Sequence, residues 1–147
     1  KEELYRIACL ANPEITHLVK GTHAFLQLLR EKGIPFGLAS ASIKANIDFF
    51  FDTFDLGQWF KREDVVYDDG TYPNKGAMHL EAARRLGVTM ADCMVIEDSL
   101  SSIRQARKNG AGCIVAVGTT ATESQLAGLA DHWIADFTEF DPAWLRR

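Results

Sequence analysis

The sequence has no basic excess: 16 lysines and arginines stand against 20 aspartates and glutamates, a formal net charge of −4. A surface for nucleic acid or anionic membrane must neutralise phosphates in bulk, and this composition argues against both partners. A small anionic substrate needs only a local positive site and stays open. Long hydrophobic runs are also missing, none approaching the ~20 residues of a membrane span. No signal peptide is visible, although a chain that starts at Lys1 rather than Met is what loss of the true beginning would produce. Cysteine is scarce: Cys9, Cys93 and Cys113 are odd in number, widely spaced and set among apolar residues. They read as reduced core thiols of a cytoplasmic protein, not as a disulfide framework. The four histidines, His17, His23, His79 and His132, lack metal-ligand spacing and read as incidental. His79 would share a helix face with Lys75, four residues before it.

No internal repeat, low-complexity tract or linker divides the chain, and 147 residues at 47% hydrophobic suffice for one domain with a real core. A helical segment from Glu2 to about Ala11 is broken by Asn12 and Pro13. Ala24, Phe25, Leu28 and Leu29 then repeat at helical spacing up to Gly33. Ile34 to Ala39 reads as a buried strand, followed by a helix marked by Ile43, Ile47, Phe50 and Phe51. Val65 to Tyr67 is a short strand before the turn Asp68, Asp69, Gly70. Met78, Ala82 and Leu86 form one face of a helix closed by Gly87. Met94 to Ile96 is an apolar strand, Leu100, Ile103 and Ala106 mark the next helix, and strands follow at Cys113 to Val117 and His132 to Ala135. Apolar strands alternating with amphipathic helices predict an α/β domain, a parallel sheet with helices on both faces.

Such sheets bind ligands beyond the carboxyl ends of their strands. Ser40, Glu97 and Asp98 fall at those ends, and Lys75 opens a helix. A hydroxyl, an ammonium and an acidic pair are the chemistry needed to hold a phosphoryl group beside Mg²⁺. Each has an ordinary alternative. Asp98 or Ser99 would serve as the cap of the following helix, and Ser40 or Ser42 as the cap of the helix near Ile43. Lys75 would simply reach solvent. Against these, adjacent carboxylates repel beside an apolar strand unless a cation compensates them, and Mg²⁺ is the natural one. With Asn74 as N-cap, Lys75 sits in a first turn where the helix dipole disfavours a cation by ~0.3–1 kcal/mol. An anion nearby removes that conflict.

In this order, Ser40 within Leu38, Ala39, Ser40, Ala41, Ser42, then Lys75, then Glu97, Asp98, Ser99 resembles motifs two, three and four of the haloacid dehalogenase-like phosphatase superfamily. The resemblance runs from about Gly21 to Phe140 and is nearest the group of β-phosphoglucomutase and sugar-phosphate phosphatases. It implies a Rossmann-like core, Mg²⁺ as cofactor and a small phosphorylated metabolite as substrate. It also implies two-step phosphoryl transfer through an aspartyl-phosphate. Ser40 would bond phosphate oxygens, with Ser42 and the backbone around Ala41 as further phosphate contacts. Lys75 would neutralise charge, and Asp98, with Glu97, would hold Mg²⁺ directly or through water.

Two departures stand out. Gly76 replaces the proline that commonly follows the lysine, which should alter how the helix begins more than its charge. More seriously, no two aspartates stand two positions apart, so the Asp-x-Asp signature and its nucleophile are absent. The simplest account is an N-terminally truncated chain, with residues 1–20 a remnant of a helical cap and 21–147 a core lacking its first strand. The strands ending at Ser40 and Glu97 should then not pair, and their exposed edges invite self-association. Two rivals remain. A phosphoacceptor signalling domain places its acidic pair first in sequence, unlike this chain, and a catalytically dead fragment acting as a binding module fits the missing nucleophile.

Overall fold

The computed structural model describes residues 1–14 and 16–145; Arg146 and Arg147, the end of the expected core, lie outside the described residues. Helices and strands alternate as α1 (Glu2–Ala11), α2 (Thr22–Glu31), β1 (Ala39–Ile43), α3 (Lys44–Phe54), β2 (Val66–Asp68), α4 (Lys75–Leu86), β3 (Met94–Glu97), α5 (Leu100–Lys108), β4 (Cys113–Val117), α6 (Glu123–Leu126) and β5 (His132–Ile134). Every strand pair is parallel, so the α/β class holds. The short α6, opened by a Thr122–Gln125 capping box, was not among the expected elements.

β4 shows why this sequence makes a sheet covered on both sides. Ile114 and Ala116 enter one core cluster with Ile103 and Ala106 of α5, while Val115 and Val117 enter another with Phe25, Leu26 and Leu29 of α2. Successive strand residues face opposite ways, so only a continuous apolar run serves a strand buried twice. Ile103, Ile114 and Val115 are fully buried, each worth about 1.5–3 kcal/mol of transfer free energy. A third cluster joins Ile47 and Phe51 of α3 to Leu56 and Val65.

The strands form two sheets, β1–β2 and β3–β4–β5 with β3 at its edge, the break falling between the strands that were expected not to pair. β1 and β3 do not pair among the described residues. A cleft of about 1340 Å³ lies alongside them, lined by Leu26, Leu29, Phe36, Leu38, Met94 and Ile96 among others. The strand expected at Ile34 to Ala39 is correspondingly displaced to Ala39–Ile43. A ladder needs a partner, and the three-residue β2 supplies one only from Ala39 onward, where Ala39 pairs with Val66, Ser40 with Tyr67 and, past an irregularity, Ile43 with Asp68. Just before it, only the Leu38 carbonyl reaches β2, accepting from the Val66 N–H at 3.0 Å.

α1 stands apart from these cores. It is tied to α3 by the buried Asn46, which accepts from Arg6 at 2.7 Å and donates to Glu2 at 2.6 Å, and by an edge contact of Tyr5 on Phe50. Leu4, Ile7 and Leu10 remain exposed. The three cysteines form no disulfide and are half-buried, with Cys93 and Cys113 packed against core clusters.

Candidate active site

Asn74 ends the turn before α4 in extended backbone, and its Oδ1 accepts the Ala77 N–H at 2.9 Å, a side-chain N-cap. Lys75 is therefore the first helical residue, as expected, but it does not reach into solvent. Its Nζ donates to the Ala39 carbonyl of β1 at 2.7 Å and lies 3.2 Å from Glu97 Oε1 at the end of β3. The ammonium spans the head of the cleft and links the two sheets. The anion that offsets the helix dipole at this position is Glu97 itself, and a bound ligand is not needed to explain the lysine.

Glu97 is 11% exposed and accepts a second contact on the same oxygen, from His79 Nε2 at 2.9 Å. Burial pushes its carboxyl pKa up. The hydrogen bond from His79 and the charge of Lys75 outweigh that, holding it below its ordinary value. The expectation that an external cation must compensate the acidic pair is thus corrected for Glu97, whose compensation is internal. His79, read as incidental in the sequence, is part of this cluster. The i, i+4 spacing from Lys75 was the signal available.

Asp98 differs. Its Oδ2 accepts from Thr119 Oγ1 at 3.0 Å, its backbone carbonyl accepts from Thr120 Oγ1, and among the described residues it makes no ion pair. Thr119 and Thr120 follow β4 at the same end of the sheet, and sequence reasoning missed both. Ser99 caps α5 by accepting the Ser102 N–H at 3.2 Å, so the capping alternative is realised by Ser99 and not by Asp98.

Ser40 and Ser42 do not cap α3. Its N-cap is Ile43, which makes no side-chain cap bond, and both serines lie inside β1 because the ladder to β2 runs on to Ile43. Ser40 Oγ accepts the Ser42 N–H at 3.3 Å, leaving its own proton free to donate. Ala41 is exposed between them. The structure thus unites Lys75, Glu97 and His79, places Ser40 next to the Lys75-bound Ala39, and sets Asp98 beyond Glu97.

The donor chemistry fits Mg²⁺ in part. Asp98 offers a hard carboxylate oxygen without a competing cation, as Mg²⁺ prefers. Among the described residues no group of three or more His, Cys, Asp or Glu side chains is placed to hold a metal ion. A full protein cage is not formed, and waters and a substrate phosphate would complete the shell.

Gly76 has a packing reason. Its N–H donates to Gln105 Oε1, its carbonyl accepts from Asn109 Nδ2 at 2.9 Å, and an added Cβ would lie 3.1 Å from Asn74, Gln105 and Asn109. Glycine lets α4 lean on α5 while satisfying an N–H that a helix start leaves orphaned. Gly76→Pro removes that donor and fills the space, and should lower stability by about 1–3 kcal/mol. An unchanged urea midpoint would reject this account.

A family model described as haloacid dehalogenase-like hydrolase matches residues 2–110. Protein CbbY of Cupriavidus necator is 30% identical over 101 residues, 67% of this chain and 40% of that protein. The bifunctional riboflavin kinase/FMN phosphatase of Arabidopsis thaliana is 30% identical over 118 residues, 78% of this chain and 30% of that protein. A solved HAD hydrolase of family IA, variant 3, from Entamoeba histolytica superposes with a TM-score of 0.88 at 27% identity, covering 97% of this chain and 64% of that one. The chain thus spans less than half the length of both curated relatives. With the fold and the family match over residues 2–110 in agreement, the chain belongs to the haloacid dehalogenase-like hydrolases.

Proposed function

We propose that this chain is the core of a Mg²⁺-dependent phosphoryl-transfer enzyme, a phosphatase or phosphoglucomutase-like hydrolase acting on a small phosphorylated metabolite. The observation that carries the reading is Lys75, held between Ala39 and Glu97 at the head of the cleft, with Asp98, which makes no ion pair among the described residues, one residue further on. Lys75 neutralises charge on the transferring group. Ser40 donates to phosphate oxygens, and Ser42 with the Ala41 backbone lies close by in sequence. Asp98 would hold Mg²⁺ directly and Glu97 only through water, and the metal, when bound, neutralises and orients the phosphoryl group. The attacking carboxylate would come from a segment outside these 147 residues. α1 and the residues up to Lys20 are read as the end of a cap, and the exposed Leu4, Ile7 and Leu10 support that. Cysteines without a disulfide are in keeping with a reducing cytoplasm.

The missing nucleophile also favours a second reading, a binding module without turnover. Coding sequence upstream of Lys1 separates the two: an in-frame Asp-x-Asp strand supports the enzyme. For the metal site, calorimetric titration is expected to show weak Mg²⁺ binding, weakened further by roughly 10-fold or more in Asp98→Ala and less in Glu97→Ala. Equal affinity in Asp98→Ala and the parent chain would reject the assignment.

A further inference from the structure

Two donors converge on one oxygen of Glu97. His79 Nε2 approaches Oε1 at 2.9 Å and Lys75 Nζ at 3.2 Å, and the His79 side chain, 5% exposed, is the most buried of the three. His79 Nδ1 is also buried and has no partner. With the proton on Nε2, the imidazole donates to Glu97 and leaves Nδ1 as a bare acceptor. Lys75 and His79 lie one turn apart on α4, so one helix face presents both donors to the end of β3. A lysine side chain is long and flexible and takes a defined place only where its partner is fixed. Glu97 needs the same restraint, since a carboxylate beside Asp98 has a second option, to turn toward any cation that Asp98 binds.

We propose that His79 is a positioning residue: its Nε2–H holds the Glu97 carboxylate on the Lys75 ammonium, which fixes that ammonium at the head of the cleft and keeps Glu97 off the cation bound by Asp98. The inference rests on the function proposed above. Without the imidazole donor, Glu97 keeps one polar partner and becomes free to move outward, and Lys75 loses its fixed anion. A merely space-filling histidine would do neither, and an aromatic of similar size would replace it.

The test uses the 147-residue chain with His79→Gln, whose amide nitrogen reaches about as far as Nε2, and His79→Phe, which fills space without donating. Nitrogen NMR of the parent should show Nε2 protonated and Nδ1 bare. The Lys75 ammonium signal should be protected from solvent exchange in the parent and in His79→Gln, and lost in His79→Phe. With Mn²⁺ as the metal probe, Glu97→Gln should change affinity little in the parent background and by roughly 10-fold in the His79→Phe background. A proton on Nδ1 with Nε2 bare in the parent would overturn the proposal even if a variant fails to fold. So would a Lys75 signal that survives in His79→Phe. Mn²⁺ binding indifferent to Asp98→Asn would overturn the metal reading alone, and the NMR comparison would still decide His79.

Discussion

The purified 147-residue chain is expected to release no phosphate from p-nitrophenyl phosphate, with or without Mg²⁺. The proposed mechanism is covalent and needs a carboxylate whose oxygen meets phosphorus. The two acids at the head of the cleft are engaged otherwise: Glu97 is buried against Lys75 and His79, and Asp98 is oriented by Thr119 and assigned to the metal. Positioning and electrostatics by Ser40 and Lys75 lower a barrier only once a nucleophile exists. Loss of a nucleophile that acts as a unit with its neighbours costs on the order of a million-fold, which puts any remaining rate beneath detection. Turnover abolished both by EDTA and by Asp98→Asn would overturn this claim. It would mean that a carboxylate among these residues does the work assigned elsewhere.

What the sequence made legible follows how local each signal is. The five apolar residues Cys113–Val117 define β4 because a strand buried on both faces needs an uninterrupted run. Asn74 and Lys75 mark the start of α4 because capping is decided within one turn. β1 was displaced because Ile34 to Leu38 are apolar enough for a strand, yet a ladder depends on a partner some thirty residues away, and β2 meets this segment late. Ser40 consequently moved from a strand end into a strand. His79 was missed for the same kind of reason: its partner Glu97 is 18 positions away on another element, and only the fold brings them to 2.9 Å. Thr119 and Thr120, more than twenty positions beyond Asp98, carry no local mark at all. Gly76 was visible as a departure, while its cause, the side chain of Gln105 on α5, was not.

In solution the chain should be marginally stable and should self-associate with rising concentration, because of how β3 is exposed. The Cys93 carbonyl accepts from the Cys113 N–H, and along a parallel strand the backbone groups of successive residues point to opposite sides. Val95 and Glu97 therefore face β4, while Met94 and Ile96 turn their N–H and C=O groups toward the cleft, where no strand among the described residues meets them. Across it, the segment before β1 lines the cleft with Phe36 and Leu38, and the lining between is largely apolar. Unpaired backbone beside apolar surface is costly and is a template for another strand, whether from a longer parent protein or a second copy. Unfolding free energy is accordingly expected at or below the low end of the usual range, about 5 kcal/mol. In dilute solution the amides of Met94 and Ile96 should exchange with solvent much faster than those of Val95 and Glu97, and raising the concentration should slow the first pair as sedimentation detects dimers. Equal, high protection at all four amides in a chain that stays monomeric would show that the cleft carries no open strand edge, and the expectation of a first strand lying between β1 and β3 would fall with it.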